Sequence, residues 1–138
     1  MKRPVRVLLI DDNRLFTDAV ELIVGDEPRF SVVGIAPSLD DALHLSIRSS
    51  PDVVLLDVDV MNPDPVAAMD RIRDGWPQAR VVVMSSAGDA KLGRDAISGG
   101  AADYLRKTQA LDELLTRIKR ATAPAGTPSA HAASGTSA

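Results

Sequence analysis

The run Val53-Val54-Leu55-Leu56 limits the architecture of this chain more than any other stretch. Four consecutive branched apolar residues are typical of a strand buried on both faces, as in the middle of a parallel sheet. Asp57 follows directly and would stand at the carboxyl end of that strand. Ligands of open α/β sheets bind at this edge, so Asp57 is a candidate site residue. The alternative role is capping of a turn, because Asp is common where strands end.

A second apolar run, Val5–Ile10, also ends in acid, here the pair Asp11-Asp12. Two neighbouring parallel strands would therefore bring three carboxylates to one edge of the sheet. Unpaired, these charges would repel one another, and some of the carboxylates would have to take up protons. Mg²⁺ removes the repulsion and prefers one or two carboxylates together with water and phosphate oxygens. The pattern predicts a Mg²⁺ site at this edge.

Strand and helix patterns alternate five times along the chain, which predicts a parallel sheet with right-handed crossovers and helices on both faces. The predicted strands are Val5–Ile10, Phe30–Ile35, Val53–Leu56, Arg80–Met84 and Ala101–Leu105. The predicted helices are Asn13–Val24, a segment after Ser38, a segment from Pro65 capped by Asp64, about 89–98 and about 109–120. The apolar residues at helical spacing in the first helix predict its buried stripe; they are Leu15, Phe16, Ala19, Val20, Leu22 and Ile23. The fourth helix is the weakest, because Gly93 costs about 1 kcal/mol relative to Ala in a helix interior.

Composition predicts one globular domain, residues 1–120, followed by a flexible tail or linker, 121–138, that consists mainly of Ala, Pro, Gly, Ser and Thr. The net charge of −3 argues against direct binding of nucleic acid, which depends on clustered Lys and Arg. The absence of cysteine excludes disulfides and thiolate metal sites. No apolar run reaches the length of a membrane span. We expect a soluble, cytoplasmic protein without membrane contacts.

Two further strands also end in unusual polar residues. Ser85-Ser86 follow the fourth strand, and Lys107 follows the fifth. As a set, the acidic pair, Asp57, Ser85 and Lys107 resemble the receiver domain of bacterial two-component response regulators over about residues 5–120. The segments 7–16 and 100–107 are most similar to receivers attached to helix-turn-helix regulators of the LuxR class.

The resemblance implies a flavodoxin-like, doubly wound sheet of strand order 2-1-3-4-5. It implies that Asp57 accepts a phosphoryl group from the phosphohistidine of a sensor kinase or phosphotransfer protein. Asp12, Asp57 and the main-chain carbonyl of Asp59 would ligate Mg²⁺, with Asp11 acting through a bound water. Lys107 and the hydroxyl of Ser85 would contact phosphoryl oxygens.

The resemblance also implies a switch. Movement of Ser85 toward the phosphoryl group would let Tyr104 turn inward and change the surface formed by helix four, strand five and helix five. The alternative for Tyr104 is a half-buried strand aromatic without a signalling role. The switched surface would control an output, either transcription through a domain absent from this sequence or a partner protein. A phosphorylation-dependent homodimer through this surface is a further hypothesis.

The segment after Asp57 departs from the family pattern. The family commonly has Met-Pro three and four residues after the acid and Gly eight residues after it, whereas this chain has Val60-Met61 and Pro65, with a proline at Pro63. The altered loop puts the position of the Asp59 carbonyl in question. One alternative is therefore an interaction module that is not controlled by phosphorylation.

The segment Leu55–Val60 also resembles the first motif of haloacid-dehalogenase-type phosphatases, in which an Asp nucleophile is followed two residues later by an acidic general acid. The position of the motif argues against this interpretation as an enzyme, because the motif normally opens its domain, whereas here an acidic pair precedes it. The receiver reading implies a phosphoacceptor that assists its own phosphorylation and dephosphorylation and is not a turnover enzyme.

Overall fold

The structure is a computed structural model that describes residues 3–45, 50–58, 65–86 and 90–123. Within these ranges, five strands alternate with five helices. The strands are β1 (Val5–Ile10), β2 (Phe30–Ala36), β3 (Val53–Asp57), β4 (Arg80–Ser85) and β5 (Asp103–Arg106). The helices are α1 (Arg14–Gly25), α2 (Leu39–Leu45), α3 (Pro65–Gly75), α4 (Ala90–Ser98) and α5 (Lys107–Ala121).

All strand pairs are parallel, and the order across the sheet is β2-β1-β3-β4-β5, which confirms the predicted doubly wound fold. β3 is central and buried along its whole length, as its apolar run predicts. One register shift, between Val7 and Leu8, interrupts the pairing of β1 with β2.

Two apolar cores lie on the two faces of the sheet because alternate residues of each strand point to opposite sides. One core joins the sheet to α2, α3 and α4 through residues such as Leu39, Ile72 and Ala96. The other joins it to α1 and α5 through residues such as Val20 and Leu114. The sheet edge that carries the candidate site is therefore held from both sides.

The predicted apolar face of α1 is partly wrong. Leu15 and Leu22 belong to the predicted stripe, but their exposed fractions are 82% and 76%. The polar residue Thr17 is buried instead, and its hydroxyl donates a hydrogen bond to the carbonyl of Arg14 at 3.1 Å. Leucines fit both a buried and an exposed face of a helix, so periodicity alone did not identify the packed side.

The boundaries at the end of the domain also differ from the prediction. β5 begins at Asp103, two residues after its predicted start, and α5 begins at Lys107, two residues before its predicted start. Gln109 explains the early start, because its side-chain oxygen accepts a hydrogen bond from the backbone N–H of Arg106 at 3.2 Å.

Some predictions fall on residues outside the described ranges. These include Asp59, the altered loop from 59 to 64, the first residue of the predicted fourth helix, and all but the first three residues of the predicted tail 121–138. Within the described ranges, no helix combines the length and apolar character that crossing a membrane requires.

Candidate functional site

The carboxyl edge of the sheet brings together most of the predicted site residues. Asp57 is the last residue of β3 and pairs with Met84, while Ser85 is the last residue of β4 and pairs with Arg106. Asp11 directly follows β1, and Lys107 directly follows β5. Parallel pairing of four adjacent strands therefore places residues from positions 11 to 107 around one point.

The three carboxylates form a compact cluster. Asp11, Asp12 and Asp57 each offer an oxygen atom, and these atoms lie within 4.8 Å of one another. Asp11 and Asp57 are buried, with exposed fractions of 3% and 1%, whereas Asp12 is exposed. Two desolvated carboxylates at this distance require positive charge, and Asp12 marks the side of the cluster that is open to solvent.

Lys107 supplies positive charge to the two buried acids. Its Nζ donates a hydrogen bond to Oδ2 of Asp57 at 3.1 Å and lies 2.7 Å from Oδ2 of Asp11. Burial by itself would lower the pKa of Lys107, but the contacts with the carboxylates of Asp11 and Asp57 outweigh it and raise that pKa above its ordinary value. The ammonium group therefore stays charged at neutral pH.

The two oxygens of Asp11 have different surroundings. Oδ1 accepts a hydrogen bond from the backbone N–H of Asn13 at 2.9 Å. Oδ2 is buried and, in the described part of the chain, has no partner with hydrogen-bond angles. Its 2.7 Å contact with Lys107 is thus an ion pair without good hydrogen-bond geometry.

The donor set suits a hard divalent cation. An incompletely satisfied, buried carboxylate oxygen next to two further carboxylates matches the all-oxygen preference of Mg²⁺. The exposed Asp12 leaves room for water and phosphate oxygens, which Mg²⁺ retains in such sites. These residues fit the predicted metal, while the fourth predicted donor, the Asp59 carbonyl, lies outside the described residues.

The position of Ser85 is compatible with its predicted role, and that of Tyr104 with either of its two predicted roles. Ser85 is buried at the same edge of the sheet. Tyr104 is half-buried in β5 and packs against the core under α4. Its ring lies directly over Gly93, where an added Cβ would come within 2.7 Å of the ring. The glycine that weakens α4 therefore makes room for Tyr104.

Sequence reasoning missed two contacts of functional residues. The Nζ atom of Lys107 lies 4.6 Å from the centre of the Phe16 ring, on the first turn of α1. Arg117 of α5 bonds both carboxylate oxygens of Asp103 at 2.8 Å and thereby ties α5 to β5. No motif marks either pair, because each joins residues that only the tertiary fold brings together.

An open cleft of about 400 Å³ adjoins the carboxylate cluster. Four acidic residues line it, Asp11, Asp12, Asp18 and Glu21, together with Arg14, Thr17, Ile35 of β2 and Pro37. A molecule entering from this side meets a largely acidic wall before it reaches Asp57. The wall disfavours a free anion unless a cation accompanies it.

Known proteins share this organisation. The transcriptional regulatory protein DegU of Brevibacillus brevis is 30% identical over 115 residues, which cover 83% of this chain and 49% of that protein. A protein-glutamate methylesterase/protein-glutamine glutaminase of Oceanobacillus iheyensis is 37% identical over 107 residues, 76% of this chain and 30% of that protein. The chain thus spans half or less of the length of these two relatives.

Solved structures agree. The signal receiver domain of the putative response regulator NarL from Mycobacterium tuberculosis superposes with a TM-score of 0.77 at 27% identity, covering 89% of this chain and 100% of that one. The predicted similarity to receivers of LuxR-class regulators is confirmed. Residues 7–119 match the family described as the response regulator receiver domain. Because this match extends from β1 into α5, the chain belongs to the response regulator receiver domain family.

Proposed function

We propose that this chain accepts a phosphoryl group on Asp57 from the phosphohistidine of a sensor kinase or phosphotransfer protein. The observation that carries the proposal is the environment of Asp57, a buried carboxylate with two further acids and the Lys107 ammonium around it. A rigid, central strand presents this carboxylate at the edge where such sheets bind ligands.

In this reaction an oxygen of Asp57 attacks phosphorus in line with the bond to the histidine nitrogen. That bond breaks, and the nitrogen keeps its electron pair while an acyl phosphate forms. A bound Mg²⁺, held directly by Asp12, Asp57 and the Asp59 carbonyl and by Asp11 through a water, would neutralise charge on the phosphoryl oxygens. Phosphoryl transfer needs little from the protein beyond such positioning and charge stabilisation.

Lys107 already donates a hydrogen bond to the Asp57 carboxylate. When that carboxylate becomes an acyl phosphate it loses its negative charge, so the ammonium would turn to a phosphoryl oxygen. The buried hydroxyl of Ser85, on the neighbouring strand, would donate to another oxygen of the same group. Both residues thus stabilise the charge that transfer brings to the site.

We further propose that Tyr104 transmits the change to the surface of α4, β5 and α5. Its ring contacts α4 at a glycine, which allows close approach and leaves the helix intrinsically weak. Movement of Ser85 toward a phosphoryl group would alter the neighbouring strand ends, and the ring would take a second position. A homodimer through this surface is one proposed consequence.

The output rests on the relatives. Transcriptional regulators among them support transcription as the controlled process, through a domain outside this sequence, while a methylesterase among them supports an enzymatic output as the alternative. We propose residues 1–120 as the receiver and 121–138 as a linker or tail, supported by the family match ending at 119. This unit would act in the cytoplasm and would not itself bind DNA.

Intact-mass measurement after incubation with Mg²⁺ and acetyl phosphate tests the proposal. We expect one added phosphoryl group on the wild type, none on Asp57→Asn and none with a chelator. Asp112→Asn, which removes an exposed acid of α5, is the matched control and should be phosphorylated normally. An adduct that persists in Asp57→Asn would contradict the assignment of the acceptor.

The same experiment separates the alternative functions. Sustained release of phosphate from simple phosphate esters, without a stable adduct, would support the phosphatase reading. Neither adduct nor phosphate release, in a folded protein that binds Mg²⁺, would support an interaction module independent of phosphorylation. The order of the acids and the family match favour the phosphoacceptor over the phosphatase. The clustering of the three carboxylates with Lys107 favours it over the module that is independent of phosphorylation.

A further inference from the structure

Among the residues that the structure describes, the ammonium group of Lys107 has three contacts of different kinds. It hydrogen-bonds Asp57, pairs with Asp11, and lies 4.6 Å from the centre of the Phe16 ring. That distance is within the range of a cation–π interaction. The Lys107 side chain is only 11% exposed, and such contacts strengthen when the cation is removed from water.

Two of these contacts compete with the metal site. Asp11 and Asp57 belong to the carboxylate cluster that fits a divalent cation, so a cation bound there draws on the same two carboxylates. Repulsion between two positive charges would also push the ammonium away from the acids. Of the three contacts, only the one with the aromatic ring uses atoms that a hard cation does not bind.

The ring itself is firmly placed. Phe16 lies in the first turn of α1, and its backbone N–H donates a hydrogen bond to the side chain of Asn13 at 3.1 Å. Asn13 in turn donates its own backbone N–H to Asp11, so one capped helix start fixes the Asp11 carboxylate and the backbone of Phe16. The ring also packs against the core between the sheet and helices α1 and α5.

We propose that Phe16 is a positioning residue, whose ring face holds the Lys107 ammonium at the site when Asp11 and Asp57 bind a divalent cation. This aromatic contact keeps the ammonium near Asp57 at the stage when a phosphoryl group arrives. Without the ring, a cation bound to the carboxylates would release Lys107 toward solvent. The role of Phe16 in transfer rests on the proposed function, whereas the aromatic contact itself is a property of the fold.

Proton NMR of the ε-methylene group of Lys107 tests the aromatic contact directly, with the resonance assigned by its loss in Lys107→Arg. A group over a ring face is shielded, so we expect an upfield shift in the wild type, both with a chelator and with saturating Mg²⁺. Phe16→Leu should remove the shift, and Phe16→Tyr, which keeps the ring, should retain it. An ordinary shift in the wild type, or loss of shielding on adding Mg²⁺, would overturn the proposal.

The rate of phosphorylation by acetyl phosphate tests the consequence. We expect Phe16→Leu to react about fivefold more slowly, the factor that about 1 kcal/mol of cation–π energy gives, and Phe16→Tyr to restore the rate. In a Lys107→Met background, Phe16→Leu should cause no further loss. An equal loss in both backgrounds would mean that Phe16 acts on general packing, and the positioning role would be refuted.

The two arms separate failure of this proposal from failure of the proposed function. If the wild type takes up no phosphoryl group, the proposed function is wrong, and the NMR arm still decides whether the ring holds the ammonium. If phosphorylation proceeds while the shielding disappears with Mg²⁺, the proposed function stands, and the proposal that Phe16 holds the ammonium is refuted.

Discussion

Replacement of Gly93 by Ala should reverse the usual effect of this substitution in a helix. Gly93 lies in the interior of α4, where Ala ordinarily stabilises by about 1 kcal/mol. Here a methyl group at position 93 would lie 2.7 Å from Cδ2, 2.8 Å from Cε2 and 3.0 Å from Cγ of Tyr104. Carbon atoms do not approach so closely, so either the ring or the helix must move.

The size of the effect follows from two opposing contributions. Forcing one extra carbon into a packed contact costs about 1–3 kcal/mol. Subtracting the helix-forming gain of about 1 kcal/mol leaves a net loss between roughly zero and 2 kcal/mol. The ring cannot relieve the clash by a small movement, because Cγ is the ring atom closest to the strand and moves only when the whole side chain changes rotamer.

Urea unfolding, with free energies extrapolated to zero denaturant, measures this balance. Gly25→Ala is the matched control, because nothing lies within 4 Å of a Cβ at that position, and it should stabilise by up to about 1 kcal/mol. In a Tyr104→Ala background, Gly93→Ala should also become stabilising. The double-mutant cycle should therefore give a coupling of about 1–3 kcal/mol between the two positions.

Equal stabilisation by Gly93→Ala and Gly25→Ala, with no coupling to Tyr104, would refute the reasoning. It would mean that the ring does not rest on the glycine in solution. The result matters for signalling, because a switch at Tyr104 requires two ring positions of similar free energy. A methyl group at 93 would penalise the position described here and favour any other.

Three other perturbations follow from the same contacts. Lys107→Met leaves two buried carboxylates without their cation, so it should lower the free energy of unfolding by about 3 kcal/mol in a chelator. Saturating Mg²⁺ should restore most of that stability. Urea unfolding under both conditions checks this, and equal losses would contradict it. Leu114→Ala empties a fully buried position between α5 and the sheet and should cost about 2–5 kcal/mol by the same assay, whereas a loss below 1 kcal/mol would contradict the packing. Arg117→Met should cost about 1 kcal/mol by releasing the partly buried Asp103, and Arg117→Lys should recover only part, because Arg117 bonds Asp103 and Glu113 from two different nitrogens whereas Lys has one; full recovery would contradict that role.

The sheet was predictable because its strands are buried on both faces. β1 has the predicted boundaries, and β3 differs only by including Asp57, since uninterrupted apolar runs leave few alternatives. Parallel pairing then placed Asp11, Asp57 and Lys107 at one edge without any need for side-chain detail. The carboxylate cluster thus follows from strand order and from which residue ends each strand.

Helix faces and side-chain contacts were less predictable. Leu15 and Leu22 are seven residues apart, as the buried pair Thr17 and Val24 is. Spacing alone therefore does not show which of the two sides of α1 is packed. The contact of Lys107 with Phe16 joins the first turns of two helices that are far apart in sequence. Such pairs depend on how helices sit against the sheet, and no local pattern encodes that placement.

The central claim is that the carboxylate of Asp57 carries the phosphoryl group. Borohydride reduces an aspartyl phosphate to homoserine, so reduction after treatment with Mg²⁺ and acetyl phosphate, followed by peptide mass spectrometry, identifies the modified residue. We expect homoserine at position 57, absent from samples prepared with a chelator. Homoserine at position 11 or 12, with an unmodified Asp57, would contradict it.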